Sequence, residues 1–183
     1  MDRKTIREIV GLTFANNKSN KDYWYRLAVA FYHGASVLYE NKDKYDFSRV
    51  FLLNASLSLE LLFKAINVAS GQEAPRTHKL LNLARAADVA YTENQQITLT
   101  MMTEIITWMG RYPAPLKEED WNNYHDIILE TMIVRETDGN ISITRKNPRT
   151  FPTIENYEAL WSTAIRRWET VVKTQAGCQN FIK

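Results

Sequence analysis

Residues 48–70 constrain this chain more than any other part of it. The run RVFLLNASLSLELLFKAINVAS spaces its leucines and phenylalanines around nearly the whole circumference of a helix. A helix that is apolar on almost every side must be enclosed by neighbours, so this segment is expected to be a buried central helix. Its polar exceptions are ordered: Ser56, Glu60, Lys64 and Asn67 follow at four, four and three residues and share one narrow stripe. Gly71 is placed to end the helix in a left-handed conformation.

Helical spacing recurs on either side. From Asp22 to Glu40, Trp24, Leu27, Ala28, Phe31, Ala35 and Leu38 form a core stripe. Asp46 or Ser48 is suited to cap the central helix, and Thr77 to cap the helix that follows in KLLNLARAADVA. A further helix over Glu93–Met109 turns Ile97, Met101, Ile105 and Trp108 to one side, and Gly110, Pro113 and Pro115 break it. Trp121, Tyr124, Ile128 and Met132 mark a helix from Glu119 to about Glu136. Asp138-Gly139 then signals a turn, and Ile154–Thr174 reads as the last helix.

Helices packing on helices is the layer arrangement this pattern supports: an all-α antiparallel bundle of about five to six helices, with room for a short β-hairpin near residues 133–145. The 183 residues are expected to form one domain. Its core bundle spans about 22–109, with C-terminal helices and a turn at 110–174 and a loose tail at 175–183. Few glycines and prolines (6 and 5) argue against a turn-rich β sandwich, and the single Cys178 rules out an intrachain disulfide framework. No run of about 18 apolar residues occurs and the first residues are polar, so a cytoplasmic protein that does not span a membrane is expected. A net charge of +2 is too small to imply a polyanion partner, so any nucleic-acid argument must rest on local clusters.

The stretch SLSLELLFKAINVASGQEAPRTHKLLNLARAA joins a leucine-rich helix bearing Glu60 and Lys64 to a glycine-ended loop and a Thr77-His78 pair. In this combination the chain resembles the HEPN family, mainly over Asp22–Val89. The resemblance implies a small antiparallel bundle, frequently dimeric, of the kind found in prokaryotic defence and toxin–antitoxin systems. It also implies either ribonuclease activity or noncatalytic binding of nucleotide or RNA. Glu60, Lys64, Thr77 and His78 are the positions that the resemblance carries over. The ribonucleases of the family have an arginine and a histidine separated by about four to six residues in a late helix; the final helix here has no histidine.

Several groups are able to carry chemistry. Glu60 and Lys64 stand in the favourable order for an i,i+4 ion pair, and Lys64 could instead meet a phosphate. His78, beside Arg76 and Lys79 at an expected helix start, suits an anion, or serves capping and packing. Arg111 and Tyr112 precede two prolines and could stack on a base or pack as a corner. Arg145, Lys146 and Arg149 form a secondary basic patch, either a solvated loop or an RNA-backbone contact. Arg26 and His33 match the ribonuclease spacing in the wrong helix, a match that chance supplies about as often as not.

The leading expectation is a noncatalytic module, a homodimer, that binds nucleotide or RNA through Glu60, Lys64, Arg76, Thr77, His78, Arg111 and Tyr112, without metal or other cofactor. One alternative is a metal-independent ribonuclease toxin using Arg26, His33 or His78. The other is a dimerisation module without ligand, docking a partner protein encoded nearby.

Overall fold

The computed structural model describes residues 1–138 and 141–180. Its elements are α1 (Arg3–Ile9), α2 (Phe14–Ser19), α3 (Lys21–Glu40), α4 (Ser48–Ala69), α5 (Leu80–Ala86), α6 (Glu93–Glu104), α7 (Glu118–Ile127), the strands β1 (Ile133–Asp138) and β2 (Ile141–Lys146), and α8 (Ile154–Asn180). Eight α-helices over the described residues exceed the expected five to six, because the polar N-terminal segment folds into two short ones. Their side-chain caps explain why: Asp2 accepts from the Lys4 and Thr5 amides, and the Thr13 hydroxyl from that of Asn16.

The central helix is α4, which packs along α3 and against α8, α5 and the end of α6. By length and composition it could cross a membrane, yet most of it lies inside the bundle. Leu59, Leu62, Phe63 and Ile66 are fully enclosed. The expected capping residues flank the start rather than occupy it: Phe47 stands at the N-cap without a side-chain bond, and Asp46 before it accepts from the Ser48 amide and hydroxyl. At the other end Gly71 has φ +79°, the left-handed close that glycine permits.

Two helices end in a π-helical turn. After α6, Ile105–Met109 widens, and the Gly110 amide reaches back five residues to the Ile105 carbonyl at 2.9 Å. After α7, Ile128–Met132 does the same. The helix expected to continue to Glu136 stops there, since the β-branched Ile133 and Val134 start a strand. Ile133 faces Lys146 and Val134 faces Arg145 in an antiparallel pair. The expected hairpin is therefore present; Gly139 of the turn signal lies outside the described residues.

The last helix extends past Thr174 to Asn180, so the expected loose tail is helical as far as residue 180. The Gln175 side-chain amide donates to the Ala69 carbonyl, tying α8 to the C-terminal end of α4. Tyr157, Leu160, Trp161, Ala164 and Trp168, at core spacing in the sequence, are all buried, so α8 packs into the same core. Leu27 leaves the expected core stripe of α3 and is 49% exposed.

Candidate functional site

The hydrophilic stripe of α4 is buried along its whole length: Ser56 0%, Glu60 4%, Lys64 9% and Asn67 0% exposed. Charged groups are brought inside a bundle only with partners, because desolvating them costs several kcal/mol each. Glu60 and Lys64 partner one another, with Nζ 2.6 Å from Oε1. The ammonium also lies 6.0 Å from the Trp24 ring centroid, within range of a cation–π attraction.

His78 completes this cluster from the loop after α4. Its Nδ1 is 3.0 and 3.1 Å from the two Glu60 oxygens. A carboxylate only accepts, so Nδ1 carries the proton and donates, which leaves Nε2 as the free nitrogen of a ring two-thirds exposed. Glu60 is thus a buried anchor that holds one buried ammonium and one exposed imidazole.

Beside them a groove of about 450 Å³ is lined by Phe14, Lys18, Trp24, Lys64, Pro75 and Arg76. Lys18 contacts Glu73 at 2.9 Å, and that contact holds the Glu73 carboxyl below its ordinary range. The Trp24 indole N–H donates to the Lys18 carbonyl, which fastens α2 to α3. Arg76 forms no ion pair among the described residues and is exposed. Lys18 and Phe14 escape a sequence reading because the helix that carries them has no apolar periodicity, and nothing local marks them as neighbours of Lys64.

Thr77 does not cap a helix. Helix α5 begins only at Leu80; Thr77 accepts from the Lys79 amide, and the Leu80 amide is taken by the Thr103 hydroxyl of α6. The expected anion site on free amides at a helix start is therefore absent at His78, whose useful partner is Glu60.

Arg111 and Tyr112 do not join the cluster. The Arg111 guanidinium folds back onto the Thr107 carbonyl, 5.4 Å from the Tyr112 ring centroid. The neighbouring Gly110 abuts Leu53, eleven residues from Lys64 and about 16 Å along α4.

The patch at Arg145, Lys146 and Arg149 is not free of acids, since the register of the hairpin sets Glu136 diagonally to Arg145 at 3.6 Å. Lys146 lies over Phe151 and Arg149 is exposed.

Arg26 and His33 are both exposed on α3, seven residues and about 10 Å apart along the axis. Among the described residues no three His, Cys, Asp or Glu side chains are grouped to hold a metal. Cys178 falls on the last turns of α8, where its side chain is outside what is described.

The family model for the HEPN domain matches residues 22–137, from the start of α3 into β1. No curated protein and no solved structure matches the chain.

Proposed function

Since the chain belongs to the HEPN family, matched over residues 22–137, we propose that it is a noncatalytic module that binds nucleotide or RNA at the Glu60–Lys64–His78 cluster and its groove. One observation carries this reading. The Lys64 ammonium, fixed by buried Glu60 at 2.6 Å, borders the same groove as Lys18, Arg76 and Trp24.

A phosphate group entering the groove meets Lys64 as a point charge and Arg76 as a two-pronged donor. Trp24 supplies an aromatic wall for a base. His78, held by the same Glu60 carboxylate that holds Lys64, offers its exposed ring as a further donor to phosphate when protonated.

Two features favour binding without cleavage. The last helix contains no histidine, and Arg26 and His33, which match the ribonuclease spacing, lie in α3 rather than in a late helix. The setting we propose is a prokaryotic defence or toxin–antitoxin system, with the chain acting as a homodimer through the exposed side of α3.

The test is calorimetric titration of ATP, GTP and a short single-stranded RNA at low salt. Binding of at least one is expected, weakened about tenfold or more in Arg76→Ala, whose exposed side chain can be removed without disturbing the fold. RNA affinity is expected to fall steeply with added salt. Absence of binding to all three overturns the proposal. Cleavage of the RNA that disappears in His78→Ala replaces it with the ribonuclease reading.

A further inference from the structure

A larger cavity, about 630 Å³, shares no lining residue with the groove. It lies where the end of α3, the start of α4, both π-helical turns and residues 146–155 meet. On α4 it reaches Phe51 and Leu52, about 18 Å along the helix from Lys64.

Its walls are mainly aromatic. Trp108 packs against Trp121 at 5.9 Å and edge-on against Tyr124 at 5.1 Å, while Tyr39 meets Phe51 at 5.6 Å. The π turns contribute Trp108, Met109 and Ile128, and such bulges often mark functional sites. The far wall is built by Lys146, Phe151 and Ile154, all outside the span that matches the family.

The charges in the lining are unequal. Lys42, Arg49 and Lys146 are exposed and form no ion pair among the described residues. Against them stand Asp46, which is held by the Ser48 amide and hydroxyl, and Glu155. Two of the cations rest on rings that line the space, Lys42 at 4.2 Å from Tyr39 and Lys146 at 4.4 Å from Phe151.

His125 also lines the space, its ring 4.5 Å from Trp121; its Nε2 is buried without a hydrogen-bond partner, as are Ser56 Oγ and Asn67 Oδ1 elsewhere among the described residues.

We infer that this cavity binds a small amphipathic anion: a flat aromatic ring system bearing a single acid group. The rings of Trp108, Trp121 and Tyr124 take the flat body, and the acid meets Lys42, Arg49 and Lys146. The volume falls in the range of ordinary small-molecule sites. Three cations opposed by two carboxylates suit one negative charge rather than a polyphosphate.

The probe is 2-naphthoate, with 2-naphthylmethanol as its uncharged counterpart, followed by tryptophan fluorescence and calorimetry on the whole chain. Saturable one-to-one binding of naphthoate is expected, weakened about tenfold or more in the double variant Arg49→Gln, Lys146→Gln, with the neutral counterpart little affected. Both variant positions are exposed, so far-UV circular dichroism should be unchanged. ATP should not displace naphthoate, and Arg76→Ala should bind it as the parent does. No saturable binding, an affinity indifferent to the double variant, or displacement by ATP overturns the inference.

Discussion

The Ser58 hydroxyl and the Tyr157 phenol meet at 2.7 Å across the interface of α4 and α8, ninety-nine residues apart in the chain. Ser58 already donates its proton to the Ala55 carbonyl, so Tyr157 is the donor in this pair and must be neutral to make it. Burial pushes the Tyr157 phenol well above its ordinary pKa, and does the same to Tyr91, which donates to the Leu160 carbonyl; burial also raises that of Tyr124.

These three phenols make the fold sensitive to alkali. A folded-state pKa above the unfolded value of about 10 means the native state holds protons that the unfolded chain releases, so this stability is complete below pH 10 and is lost as pH rises. Each phenol steepens the decline by up to about 1.4 kcal/mol per pH unit above that point. Unfolding followed by circular dichroism should coincide with tyrosinate absorbance for the buried set. Tyr157→Phe should reduce the slope while lowering neutral-pH stability by about 1 kcal/mol. Tyrosinate appearing in the native protein near pH 10 in full amplitude would contradict this.

Removing Lys64 alone should be severe. Lys64→Met leaves the Glu60 carboxylate 4% exposed with only the His78 ring as partner, an imbalance worth about 3–5 kcal/mol. The double change Glu60→Gln, Lys64→Met removes both charges and should recover much of that loss. His78→Ala, at a side chain two-thirds exposed, should cost under about 1 kcal/mol. Urea unfolding of the four proteins decides it: equal losses for Lys64→Met and His78→Ala would show that the ion pair is not buried in solution.

Local patterns in the sequence identified the elements whose cause is local. The apolar circumference of α4, its stop at Gly71 and the break at Gly110 follow from residues within a turn or two. The pairing of Glu60 with Lys64 follows from i,i+4 spacing alone. Spacing marks His78 only as a neighbour of a helix start, whereas its position is set by Glu60, eighteen residues earlier. Lys18 reaches the groove only because the Trp24 indole and Glu73 fasten α2 there, contacts with no signature in spacing. Arg111 looked like a ligand by type, but the widened turn before it directs the guanidinium to Thr107. Glu136 beside Arg145 required the register of the strands.

The two helix-ending glycines should respond differently to alanine. At Gly71 nothing lies within 4 Å of an added Cβ, so Gly71→Ala meets only the cost of a left-handed backbone, roughly 1–2 kcal/mol. At Gly110 an added Cβ would lie 2.9 Å from the Ile105 carbonyl oxygen and 3.0 Å from Leu53, so the π turn and α4 must separate. Thermal unfolding should show the larger loss at Gly110, together with an altered near-ultraviolet signal from Trp108, which precedes it by two residues. A Gly110→Ala protein as stable as Gly71→Ala would show that the close approach is not maintained.

The exposed side of α3 bears directly on the proposed homodimer. Tyr23, Leu27 and Val37 are 42%, 49% and 58% exposed, and with Ala30 they recur at the spacing of an apolar helix seam. Arg26 and His33 flank that seam, so a twofold contact along α3 would bring the pair from one chain towards its copy from the other. Sedimentation equilibrium should therefore report a dimer for the parent and a monomer for Leu27→Glu, Val37→Glu. Both changes are at exposed positions and should alter monomer stability by about 1 kcal/mol or less. If the parent sediments as a monomer at tens of micromolar, or if the double variant remains dimeric, α3 is not the contact and the neighbourhood of His33 has no second chain to complete it.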